Sequence, residues 1–169
     1  VNARKPSRID SPTKGKEATM AKIDPEAAPR TEDSAYPPPF DVPCRGRVRL
    51  ALGEAAGLTQ FGVNMLRLPP GRWSSQRHWH TEEDEFVWVL SGEVVLVTGV
   101  GEQVLRAGEC AGFPAGAPDG HHIQNRSGEE ALLLEVGSRR PATDCVDYPD
   151  IDLRWSAASG DTRKDGTPY

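Results

Sequence analysis

The 169-residue chain predicts an all-β domain built as a jelly-roll sandwich or small barrel, and three observations carry that prediction. Glycine and proline, at 17 and 15 residues, stand well above the ordinary combined share of about 12%, which suits many short strands joined by turns. Between residues 45 and 139, short β-branched and apolar runs recur and are closed off at close intervals by Gly and Pro. No apolar stripe of helical period extends over ten residues there. The length sets a prior of one domain, and a hydrophobic share of 37% is enough to fill one core.

In chain order, residues 1–40 are rich in Pro, Lys, Glu, Ser and Thr and read as a flexible or extended N-terminal tail, with Met20 a candidate start. The tail ends in Tyr36-Pro37-Pro38-Pro39-Phe40, which either stays mobile or docks on the barrel or a neighbouring subunit. The barrel is expected over 41–140, with strands near 46–52, 60–68, 84–90, 93–98, 102–106, 110–113, 120–124 and 130–137. In Glu85-Phe86-Val87-Trp88-Val89-Leu90 both alternating faces are apolar, predicting a sheet covered on each side. Ser91-Gly92 and Gly99 to Gly101 then predict two consecutive hairpins. Residues 141–169 read as a C-terminal wrapping segment anchored by Tyr148, Ile151, Leu153 and Trp155. Asp144, Asp147, Asp150 and Asp152 lack the glycine and terminal glutamate of a calcium loop.

Composition excludes several classes. The net charge of −5 and the scatter of arginines among acids leave no basic footprint, so no nucleic-acid partner is expected. The longest apolar runs, Phe86 to Leu90 and Val94 to Val97, fall far short of the ~20 residues of a membrane helix. The basic N-terminus is followed by no apolar stretch of a secretory signal, and Cys44, Cys110 and Cys145 form no disulfide pattern; a reducing cytoplasm is the expected location. Cys110 is expected to pack as a small hydrophobe. All five lysines lie outside residues 23–163, so Schiff-base chemistry is closed to the barrel. Phosphate recognition would fall to arginines such as Arg67, Arg72 or Arg77, and no tyrosine lies between Phe40 and Asp147 to move a proton.

The four histidines fall in two pairs, His78 with His80 and His121 with His122. Residues two apart on an extended chain share a face, so His78 and His80 project together. Glu85 opens the next strand after the turn at 81–84, where antiparallel pairing can return its carboxylate to the two rings. Glu82, Glu83 and Asp84 read as a solvated turn. One of His121 and His122 can face inward; His121 shares a face with Ile123, His122 with Gln124. Three imidazoles and one carboxylate suit a single divalent transition metal, Fe²⁺, Mn²⁺, Ni²⁺, Co²⁺ or Zn²⁺.

These residues resemble the motifs of the cupin superfamily over roughly 45–139. The first motif is similar to Gly71…His78-Trp79-His80-(81–84)-Glu85-(86–91)-Gly92. The second is similar to Gly108-(109–113)-Pro114-Ala115-Gly116 with Asn125 four positions after His121, in a register that also selects His121. The resemblance implies a double-stranded β-helix, a homodimer, and a metal held by His78, His80, Glu85 and His121. It further implies a small organic substrate chelated at that metal, with oxygenase-type chemistry expected first. Sugar or sugar-phosphate isomerisation or epimerisation, or non-catalytic binding or sensing, are the alternatives.

Overall fold

The structure is a computed structural model that describes residues 22–169; the expectations for residues 1–21, Met20 included, lie outside the described residues. The chain forms β1 (Arg30–Glu32), β2 (Val48–Leu50), α1 (Leu52–Ala55), β3 (Phe61–Leu68), β4 (Trp79–His80), β5 (Glu85–Ser91) and β6 (Glu93–Thr98). It continues through β7 (Gly101–Arg106), β8 (Cys110–Phe113), β9 (His122–Gln124), β10 (Ala131–Ser138), β11 (Cys145–Tyr148), β12 (Leu153–Ser156) and β13 (Gly160–Thr162). Three antiparallel sheets result, ordered β1-β2-β3-β10-β5-β8, β13-β12-β11-β4 and β7-β6-β9. Eight of these strands fall where the alternation of the sequence puts them. The others, two to four residues long, carry too few apolar positions to show a period.

The fold is an all-β double-stranded β-helix. Leu66 and Leu68 of β3, Val87 and Val89 of β5, and Ala131 and Leu133 of β10 face Val94, Leu96, Leu105 and Ile123 of the opposite sheet in one buried cluster. Burial of each such Leu or Val contributes about 1.5–3 kcal/mol, so this sandwich is the stable frame on which the site is mounted. A second cluster joins Val146, Tyr148 and Leu153 to Tyr36, Phe40, Ile151 and Trp155. The two ends of the described chain therefore meet outside the barrel. The proline run is held there: Gln76 Nε2 donates to the Phe40 carbonyl at 2.6 Å, and β1 extends the large sheet through β2.

Three local expectations are corrected. Gly99 to Gly101 does close the β6–β7 hairpin, where Thr98 pairs with Gly101, but Ser91-Gly92 does not make a hairpin. β5 pairs with β10 and β8, whereas β6 pairs with β7 and β9, so the chain crosses between sheets at Gly92. Gly92 has φ +85°, and a Cβ there would lie 2.9 Å from the Ala131 Cα, so this corner needs glycine. The outer face of β5 is open: Phe86, Trp88 and Leu90 are exposed. Cys110, opposite Trp88, is exposed with them rather than packed. No helix among the described residues is long and apolar enough to cross a membrane.

Candidate metal centre

His78 and His121 are brought together by a β-bridge. His78 N–H donates to the His121 carbonyl at 3.1 Å and His121 N–H returns the bond to His78 at 2.8 Å. Residues opposed in an antiparallel pair present their side chains on one face, and the two rings lie 4.9 Å apart. His80 follows two residues after His78, on β4, and its ring is 5.2 Å from that of His78. Glu85 arrives by a route other than the pairing read from sequence. β4 pairs with β11, while Glu85 opens β5 in the large sheet between Phe113 and Gly137. Closure of the barrel, rather than a local hairpin, sets its carboxylate beside the imidazoles.

Glu85 Oε2 lies 3.3 Å from His78 Nε2, 3.5 Å from His80 Nε2 and 3.0 Å from His121 Nε2. His78, His80 and Glu85 form a mutually close donor set, with His121 added through Glu85. His122 turns away: its Nδ1 meets the Ser75 carbonyl at 3.1 Å and its Nε2 meets Gln124 at 2.9 Å. Burial pushes the His122 imidazole down to about 4, so it stays neutral behind the wall of the site. Asn125 is a buried clamp, donating to the Leu68 and Glu129 carbonyls at 2.7 Å.

The backs of two rings are fixed. His78 Nδ1 donates to the Gln76 carbonyl at 2.9 Å. His80 Nδ1 meets Asp144 Oδ2 at 2.6 Å, and Asp144, 2% exposed, also accepts from Glu82 N–H at 2.9 Å. Each contact leaves an Nε2 lone pair facing Glu85. Burial opposes charge on Glu85, yet His121 and His78 hold its carboxyl well below the usual carboxylate range. Burial also lowers the His121 imidazole, while the Glu85 contact outweighs burial at His78 and raises it.

This donor set fits a metal cation. Glu85 Oε2 is buried and makes no hydrogen bond although three imidazole nitrogens surround it. Ligand atoms at about 2.1 Å from one ion and at right angles to each other stand about 3 Å apart, close to the separations seen. One carboxylate with imidazole nitrogens suits the borderline divalent transition metals. The four aspartates of the C-terminal segment do not converge: Asp144 meets His80, Asp147 pairs with Arg154, Asp150 with Arg77, and Asp152 accepts from Lys164 N–H.

Two cavities flank the centre, of about 290 Å³ and about 350 Å³, and Glu85, His121 and Phe113 line both. The larger is walled by apolar side chains such as Leu96 and Leu105; the smaller is polar and contains Arg47, Arg49 and Arg139. Phe113 stacks flat on His121 at 3.5 Å. Glu83 lines both cavities instead of lying in a solvated turn. Tyrosine, absent from the barrel sequence, reaches the site from both ends of the chain. Tyr36 lines the polar cavity, and the Tyr148 ring is 5.8 Å from His78. Of the arginines expected to face a ligand, Arg67 pairs with Glu26 and Arg77 with Asp150, and Arg72 lines neither cavity. The signal that would have found their replacements is the alternation Arg45, Arg47, Arg49, which puts Arg47 and Arg49 on one strand face.

Residues 64–137 match the model of the cupin domain. A sugar phosphate isomerase of the cupin superfamily from Silicibacter pomeroyi is 46% identical, with 88% of this chain and 96% of that one covered and a TM-score of 0.82. The chain belongs to the cupin superfamily. A proposed sugar phosphate isomerase from Acidithiobacillus ferrooxidans is 35% identical, covering 66% of this cupin and 70% of its own chain at a TM-score of 0.62. No curated protein matches the chain.

Proposed function

We propose that this cupin is a divalent-metal isomerase acting on a small hydroxy-carbonyl compound. His78, His80, Glu85 and His121 would hold the metal, which when bound supplies Lewis-acid polarisation of a carbonyl oxygen. The observation that carries the reading is the buried Glu85 Oε2, ringed by three imidazole Nε2 atoms yet without a hydrogen bond. The names of the two similar proteins favour isomerisation. The oxygenase-type expectation rests on the family resemblance, and the donor set serves either chemistry.

Isomerisation moves a proton between adjacent carbons and needs a base at the cavity wall. Glu83 is suited to that part, since it lines both cavities; its Oε1 accepts from the Arg140 backbone N–H, and among the described residues no Arg or Lys side chain pairs with its carboxylate. Tyr148 is kept protonated by burial and by Tyr36 beside it, so its O–H remains a donor. Phe113, packed over His121, keeps water from one side of the ring.

The test is proton NMR of the metal-loaded protein in D₂O with a panel of aldose and ketose phosphates. Deuterium is expected to enter at the carbon next to the carbonyl, only with metal present and without oxygen uptake. Glu83→Gln is expected to slow exchange about 10²–10⁴-fold with metal content unchanged. Substrate-dependent oxygen uptake, or binding without exchange across the panel, would replace isomerisation with oxygenase chemistry or a binding role.

A further inference from the structure

Arg47 is an unusual resident of the polar cavity. It is 7% exposed, its Nε donates to the Asp33 carbonyl at 2.9 Å, and its Nη1 is buried with no hydrogen-bond partner. Among the described residues no carboxylate pairs with it, whereas its neighbour Arg49 is bound in a two-pronged contact to Glu135 at 2.6 and 2.9 Å. Arg139, on the same cavity, also forms no ion pair among the described residues. Glu85 is committed to the three histidines and Glu135 to Arg49, and Glu83, the third carboxylate on this cavity, forms no ion pair with Arg47 or Arg139, so both guanidiniums are left without an anionic partner among the described residues. An arginine stays charged at any working pH, and a buried charge without a partner is costly until an opposite charge arrives.

We propose that Arg47 marks an anion subsite of this cavity, so that the substrate is a small compound bearing a phosphate or carboxylate group. The proposal deepens the metal-isomerase reading and rests on it for the reacting end of the molecule. The anionic end lies toward Arg47 and Arg139, where a planar guanidinium fork matches paired oxygens. His78, Glu85 and His121 line the same cavity, so one molecule can touch both. A volume of about 290 Å³ sits at the low end for ligand pockets, which restricts the ligand to a small one. The large relatives of such compounds, with a second ring or a nucleotide, do not fit this space. Asn64, on the inner face of β3 and across from Glu135, lines the wall between the two ends.

Isothermal titration calorimetry of the full chain with inorganic phosphate and, separately, malonate tests the subsite, each on metal-free and metal-loaded protein. Saturable one-to-one binding to the metal-free protein is expected for at least one anion, and the tighter of the two identifies phosphate or carboxylate as the natural group. Arg47→Gln is expected to weaken it at least tenfold, and Arg67→Gln, on the surface, to leave it within twofold. Asn64→Asp, which adds a negative charge without touching Arg47, is expected to abolish it and decides the matter if Arg47→Gln fails to fold. Unchanged affinity in Arg47→Gln or in Asn64→Asp would overturn the subsite, as would binding seen only with metal. Metal content measured on the same samples reports on the metal centre separately, so its failure and the subsite's failure are distinct results.

Discussion

Asp144 governs the aim of His80, because its carboxylate takes the Nδ1–H at 2.6 Å and leaves Nε2 as the free lone pair. Asp144→Asn removes the charge that makes the imidazole a strong donor, and metal affinity is expected to fall about 10–100-fold, as read by competition with a chelator. At the rim, Arg77 binds both oxygens of Asp150 at 2.5 and 2.6 Å and holds that carboxyl below its ordinary value. A carboxyl whose folded pKa is depressed stabilises the fold above its unfolded value near 3.8, and the gain disappears as pH falls through the depressed value. Being solvent-exposed, the pair contributes at most about 1 kcal/mol. Asp150→Asn should therefore cost up to that amount in urea melts at pH 7 and converge with wild type in strong acid. At this scale the shared face of His78 and His80 was legible because their spacing is local, whereas Glu85 and His121 come beside them only through barrel closure and the His78–His121 bridge. Asp144 and Arg47 were not legible: Asp144 stands 64 residues from His80, and only the closed sheets bring such partners together.

The strands of the barrel were legible because each carries an alternation of its own, and Gly-rich turns separate them. What one strand cannot state is its partner, which is why Ser91-Gly92 reads as a hairpin but makes a corner between sheets. The outer face of β5 carries the same lesson. Its alternation predicts a strand covered on both sides, yet Phe86, Trp88 and Leu90 face outward beside Leu134 and Val136 of β10. A contiguous apolar sheet face of this kind marks an interaction site, and the homodimer that the cupin resemblance implies would use it. A stable dimer buries roughly 800 Å² per partner. The wild-type chain is expected to run at twice its monomer mass in light scattering, and Trp88→Glu to run as a monomer with its β-sheet circular dichroism unchanged. A monomeric wild type at the same concentration would count against this face.

The two ends of the described chain, which sequence composition set apart from the barrel, are part of its working unit. β11 pairs with β4 through Val146 with His80 and Asp147 with Trp79, so the wrapping segment is hydrogen-bonded to the histidine strand itself. Tyr36 packs edge-on to Tyr148 at 5.6 Å, tying the segment before the barrel to the segment after it. Their shortness as strands and their polar content hid this from a periodicity reading; the anchors Tyr148 and Leu153 were visible, but not what they anchor to. If the second cluster were an independent flap, loosening it would leave the barrel's melting untouched. The shared strands argue instead for one cooperative transition. Leu153, fully buried in that cluster, is the position to test. Leu153→Ala is expected to cost about 2–5 kcal/mol and lower the melting temperature of a chain this size by roughly 5–15 °C, in one transition. The same variant should also weaken metal retention, since Asp144 and Tyr148 enter the site from the segment that Leu153 secures. Two separate calorimetric transitions, or an unshifted melt, would instead make the wrap an appendage to a self-sufficient barrel.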